Sequence, residues 1–136
     1  MATWTNIIEY ITIASTGNVA DFGDLTIQKN TIASGSNGTR GVWGGGRSGA
    51  DQSINVIDYI TIASTGNASD FGDLLAAATD MAGCSDNTKT IFIGGYLDGG
   101  ALSNVLQYIN TASTGNASDF GDLSRNSVGG SCTSGD

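Results

Sequence analysis

Short stretches of alternating apolar and polar residues recur along this chain, each one closed by turn-forming residues. The first, Asn6–Ala14, reads N-I-I-E-Y-I-T-I-A and runs into Ser-Thr-Gly-Asn. Its β-branched and aromatic residues, bounded by turn formers, predict a strand over Thr5–Ala14 that ends in a turn. VWGGG (42–46) and IFIGG (91–95) read as strands ending in paired glycines. Paired glycines allow positive φ or close approach to a neighbouring backbone. DFGDL, present three times, predicts a further short strand or strand edge. The segments 26–37 and 75–87 predict a fourth, weaker strand. LLAAATDMA alone would fit one helical turn, but its counterpart TIQKNTIAS has poor helix propensity, and equivalent positions should share a structure.

Those equivalences come from an internal repeat. NIIEYITIASTGNVADFGDL, NVIDYITIASTGNASDFGDL and NVLQYINTASTGNASDFGDL begin at Asn6, Asn55 and Asn104, at a constant spacing of 49 residues. TRGVWGGG (39–46) and TKTIFIGG (88–95) recur at the same spacing. A period of this length, with four strands per unit, is the arithmetic of a propeller blade or another β array. The 136 residues form one repeat domain, 1–136, with a modest core.

The order of these elements resembles the kelch repeat. In that family a hydrophobic strand ends in Gly-Gly, a second strand ends in Tyr, and a turn leads to an aromatic residue. Residues 90–123 follow it through Ile91-Phe92-Ile93-Gly94-Gly95, Tyr108, the turn Thr114-Gly115-Asn116, and Phe120. The middle copy follows through Val42-Trp43-Gly44-Gly45-Gly46, Tyr59 and Phe71, and the first supplies Tyr10 and Phe22. The chain departs from the family in having Phe22, Phe71 and Phe120 where kelch repeats usually carry Trp. The longer wording YITIASTGNA-DFGDL is similar to repetitive kelch-like proteins of marine bacteriophages, which implies a tail or fibre component.

The resemblance implies an all-β fold of kelch-like propeller blades, each of four short antiparallel strands. The chain opens on a third strand and is expected to end on a first strand over Ser124–Asp136. Propellers close with four to eight blades, and open edges invite pairing. Closure by oligomerisation is therefore expected, two chains giving six blades. A β-trefoil or β-prism with pseudo-threefold symmetry is the alternative.

Composition narrows the chemistry. A net charge of −8, from 13 acidic and 5 scattered basic residues, argues against nucleic acid as a partner. The chain has no His and no Pro. It therefore lacks the commonest general base and the commonest zinc ligand. No cofactor is implied. Cys84 and Cys132 are expected to be two lone thiols, with a single disulfide between them as the alternative. MATWTNIIEYITIA has neither a basic n-region nor a long apolar run, so no secretory signal and no membrane insertion are expected. The expected location is a virion or extracellular surface, otherwise the cytoplasm.

Asp-Phe-Gly is also the metal-binding motif of protein kinases, but no Gly-rich loop, strand lysine or catalytic loop accompanies it here. Asp21 with Asp24, Asp70 with Asp73, and Asp119 with Asp122 are weak calcium candidates. Their spacing is not that of an EF-hand, and turn-capping carboxylates explain them more simply. The repeated Tyr and Phe residues read as packing, because every repeat must meet its neighbour alike. N-x-[ST] triplets at Asn37, Asn67 and Asn116 would accept glycans only in a eukaryotic secretory context.

Specific binding is better sought where the copies differ, in the loops RSGADQS (47–53) and YLDGGALS (96–103). Arg47, Asp51, Gln52, Tyr96 and Asp98 have the chemistry to hydrogen-bond and stack on a sugar. Asp51 with Asp98 is the carboxylate pair that a glycan-acting hydrolase would need. The overall expectation is a non-enzymatic structural or binding module of a phage particle, recognising a host-surface glycan. A purely structural assembly subunit without ligand is the first alternative and a glycan-acting hydrolase the second; other phage structural proteins are candidate partners.

Overall fold

The computed structural model describes residues 4–133, which form fourteen strands and no helix. β1 (Ile7–Tyr10) and β2 (Ala20–Asp24) pair as an antiparallel hairpin. β4 (Ala33–Ser36), β5 (Arg40–Gly44), β7 (Val56–Thr61) and β8 (Ser69–Asp73) form a four-stranded antiparallel sheet in that order. β10 (Ala82–Ser85), β11 (Lys89–Ile93), β13 (Val105–Asn110) and β14 (Ser118–Asp122) repeat it one period later. The described residues form no closed ring of sheets.

Two minimal ribbons escaped the sequence pattern. β3 (Lys29–Asn30) pairs with β6 (Arg47–Ser48), and β9 (Ala78–Thr79) pairs with β12 (Tyr96–Leu97). The weak strand expected in 26–37 and 75–87 is thus split in two, its second half entering the sheet. No helical turn forms in LLAAATDMA.

Two strand expectations need correction. Thr5–Ala14 is strand only over Ile7–Tyr10, because β1 has a partner on one side alone. Its counterpart β7 is held by β5 and β8 and keeps six residues. The C-terminal segment also forms no strand over its described residues, 124–133; residues 134–136 lie outside them. In register, that strand would begin at Ser131, and among the described residues no second strand pairs with it. The preceding residues do keep the repeat's contacts. Gly95 N–H donates to Ser127 O at 2.8 Å, as Gly46 N–H does to Ala78 O at 2.8 Å.

DFG is a β-bulge. In the β1–β2 ladder Ile8 faces Gly23 and Glu9 faces Asp21, so Phe22 is the extra residue. Phe71 and Phe120 are skipped in the same way. The glycine that follows has φ of 148° at Gly23 and 142° at both Gly72 and Gly121, a conformation that side chains other than hydrogen resist. A bulge re-aims the local side chain. Each Phe consequently meets the Tyr of its own repeat edge to face, at centroid distances of 5.9, 5.7 and 5.8 Å.

The core lies between sheets. Ile8, Phe22 and Leu25 of the hairpin repeat pack on Ile60 and Trp43 of the first four-stranded sheet and on Ala68 just before its last strand. On that sheet's other face, Val42, Ile57 and Phe71 pack on Phe92 and Ile109 of the second and on Ala117 just before its last strand. Alternation along β5 and β7 serves both interfaces. The edge strands β4 and β10 approach so closely that a Cβ on Gly83 would lie 2.4 Å from Ser34 O.

Candidate functional site

The double glycines build the rim. Gly45 and Gly46 have φ of 63° and 105°, and Gly94 and Gly95 repeat this at 62° and 101°. Two successive positive-φ residues swing the chain out of the sheet, so that β6 and β12 pair with the linker strands β3 and β9. Larger residues would not fit: a Cβ on Gly46 would stand 2.5 Å from Asn30 O. Beyond each glycine pair the chain folds back on itself, Ser48 N–H donating to Gln52 O at 2.9 Å and Leu97 N–H to Ala101 O at 2.8 Å.

These two loops meet across a cleft of about 280 Å³ lined by Arg47, Asp51, Tyr96 and Asp98, with Ser53, Thr79 and Asp80 completing the wall. Four of the five residues singled out from the sequence therefore share one concavity. Gln52 does not line it; its carbonyl closes the 47–53 loop. Arg47 Nε and Asp51 Oδ1 are 2.9 Å apart in an exposed ion pair, which orients the guanidinium at the mouth. Asp51 has φ of 63°, where its counterpart Gly100 has 86°, so the turn shape is common to both loops and the carboxylate is particular to one. The Thr79 hydroxyl donates to Asp80 Oδ2 at 3.2 Å and also contacts the Thr31 hydroxyl. Thr79 and Asp80 were missed, although they lie in a segment where the copies differ as much as the rim loops do.

Two of the DFGD carboxylates are occupied locally. Asp70 Oδ1 accepts Gly72 N–H at 3.2 Å and Asp119 Oδ1 accepts Gly121 N–H at 3.1 Å, each steadying its bulge. Asp21, Asp24, Asp73 and Asp122 lie in the same strands. No group of three or more acidic, Cys or His residues with metal-binding geometry occurs among the described residues.

The same strands carry a contact between repeats. Gly66 N–H donates to Phe22 O at 2.7 Å and Ala68 N–H to Asp24 O at 2.7 Å. Between them, Asn67 Oδ1 accepts Asp24 N–H at 3.1 Å. One period later Gly115, Ala117 and Asn116 do the same to Phe71 and Asp73, at 2.8, 2.8 and 3.0 Å. The second and third Ser-Thr-Gly-Asn turns thereby cap the edge of the repeat before them.

A buried ion pair also went unread. Lys29 Nζ and Asp58 Oδ2 are 2.9 Å apart with both side chains fully enclosed. Lys29 also donates to Val56 O at 3.3 Å, and the Thr26 hydroxyl donates to Asp58 Oδ1 at 2.5 Å. Burial pulls the Lys29 ammonium below the usual lysine range, against the opposing pull of Asp58. The next repeat has Ala78 and Gln107 at these positions, and Gln107 Oε1 accepts Leu75 N–H at 2.8 Å. Both side chains being enclosed, the pair is out of reach of a ligand. Both cysteines are free. Burial, with a contact from Cys84, pushes the Cys132 thiol up to about 12, so it is no thiolate at neutral pH.

No protein-family model matches the chain, and no curated protein matches it. No helix among the described residues is long and apolar enough to cross a membrane.

Proposed function

We propose that this protein is a non-enzymatic binding and structural module whose rim cleft holds a terminal sugar of a surface glycan. The observation that carries this reading is the convergence of Arg47, Asp51, Tyr96 and Asp98, from two loops that break the repeat, on one cleft. A volume of about 280 Å³ is at the small end of ligand pockets, suited to a sugar ring rather than a long polymer. The Tyr96 ring offers a face for the C–H surface of a pyranose. Arg47 donates hydrogen bonds to ring hydroxyls, and Asp51 and Asp98 accept them. Around this cleft, the two four-stranded meanders act as kelch-like blades and the hairpin repeat as part of a third. Two copies then complete a six-bladed ring in a phage particle or tail fibre. Consecutive four-stranded meanders support blades over a β-trefoil or β-prism.

Screening the protein on a glycan array tests the reading. Binding that is abolished by Tyr96→Ala and weakened by Arg47→Ala or Asp98→Asn is expected. Absence of any glycan signal, or a signal indifferent to Tyr96→Ala, favours the purely structural alternative.

A further inference from the structure

The turn-on-edge contact occurs twice within the chain, and each half of a third contact stands exposed. The capping half is the first turn, Ser15–Asn18, with Val19. The accepting half is the outer edge of β14. We propose that the first turn of one copy docks on β14 of a second copy, head to tail. This inference deepens the assembly part of the function proposed above, resting on its premise that copies associate, and is independent of the rim cleft.

The occupant is specified by the two internal examples. Shifted by the repeat, their hydrogen bonds become Gly17 N–H to Phe120 O, Val19 N–H to Asp122 O, and Asp122 N–H to Asn18 Oδ1. Burial marks the same two surfaces. Phe71, capped by the next repeat, is 3% exposed, whereas Phe120 is 55% exposed. On the capping side Ile109 is 2% exposed and its counterpart Ile11 is 58%. A cavity of about 390 Å³ opens beside Phe120, Ile91 and Lys89, on the face that Phe92 and Ile109 cover one repeat earlier.

The glycines give independent support. A Cβ on Gly23 would stand 2.3 Å from Gly66 O, and one on Gly72 would stand 2.5 Å from Gly115 O. Gly121 has the same backbone and the same missing side chain, yet among the described residues nothing lies within 4 Å of where its Cβ would be. The clearance that a docking turn needs is present at all three, and it is filled at two. Such a contact is heterologous, so it makes a ring if the rotation closes and an open filament if it does not.

Complementation between two blocked variants, followed by sedimentation velocity, tests this directly. Asn18→Ala with Val19→Arg blocks the turn; Phe120→Arg blocks the edge, with Ile91→Lys as a second edge variant should Phe120→Arg misfold. The wild type is expected to sediment above the mass of one chain. Each blocked variant alone is expected to sediment as one chain with an unchanged circular dichroism spectrum. Their mixture is expected to form a one-to-one pair, through the intact edge of one and the intact turn of the other. A wild type of single-chain mass, blocked variants that still self-associate, or a mixture that stays monomeric each overturns the proposal. A wild-type mass that keeps growing with concentration preserves this contact and rejects only the six-bladed ring.

Discussion

Asn67 accepts the backbone N–H of Asp24 from the preceding repeat, 43 residues away, and Asn116 stands in the same relation to Asp73. The side chain mimics a strand partner at an edge whose N–H groups would otherwise be unpaired. Asp-Phe-Gly supplies the matching geometry, since its bulge frees the Phe carbonyl to accept the turn's glycine N–H.

Removing that acceptor has a defined cost. Asn67→Ala or Asn116→Ala is expected to destabilise the protein by about 1 kcal/mol, the net worth of one hydrogen bond. Asn18→Ala, on the exposed turn, is expected to leave a dilute sample unchanged. Urea midpoints with an unaltered denaturant slope check all three.

Gly72 and Gly121 share a φ of 142°, so alanine strains the backbone equally at both. Only at Gly72 does the new methyl meet a neighbour, Gly115 O. Gly72→Ala is therefore expected to cost about 1–3 kcal/mol more than Gly121→Ala in dilute solution, the usual penalty of overpacking. The difference in their unfolding free energies is the measurement.

Asp58→Ala leaves the Lys29 ammonium buried without its counter-charge and is expected to cost about 3–5 kcal/mol. Combining Lys29→Ala with Asp58→Gln reproduces the pair found at Ala78 and Gln107, and is expected to recover most of that loss. For the wild type the sign with pH also follows. Burial holds Lys29 below its unfolded value, so the unfolded state binds more protons between the two values. Stability from this group therefore rises with pH across that window. Thermal melts of Lys29→Ala are expected to lack this alkaline component.

Asp86 works in the opposite pH range. Its carboxylate accepts N–H groups from Lys89 and Thr88 and the Thr88 hydroxyl, which hold it down at about 2. An unfolded aspartate titrates near ~3.9. The contribution is present above that value and is lost as pH falls through about 2. Asp86→Asn copies the Asn37 turn of the preceding repeat, where Asn37 Oδ1 accepts Thr39 and Arg40 N–H. It is expected to preserve the turn and flatten the acid limb of the melting-temperature profile.

The period and most strands were legible because β-branched and aromatic residues recur at fixed register. The bulge at Phe22, Phe71 and Phe120 was not, since ladder register depends on the partner strand. β6 and β12 are too short to show alternation, and β1 is shorter than its sequence suggests because only one neighbour holds it. Lys29 is one of five scattered basic residues in the sequence, and nothing local to it announces a pairing with Asp58, 29 positions on. In the cleft, Arg47, Asp51, Tyr96 and Asp98 stood out where the copies diverge. Thr79 and Asp80 diverge as well, but they are brought to the rim only by the β9–β12 pairing.

Residue-resolved hydrogen exchange at rising protein concentration tests the capping contact most directly. Slow exchange is predicted at Gly66, Ala68, Gly115 and Ala117 at every concentration, with Gly17 and Val19 fast when dilute and protected as copies associate. Exchange at Gly66 and Ala68 as fast as at Gly17, or no gain of protection at Gly17 and Val19 at high concentration, would contradict it.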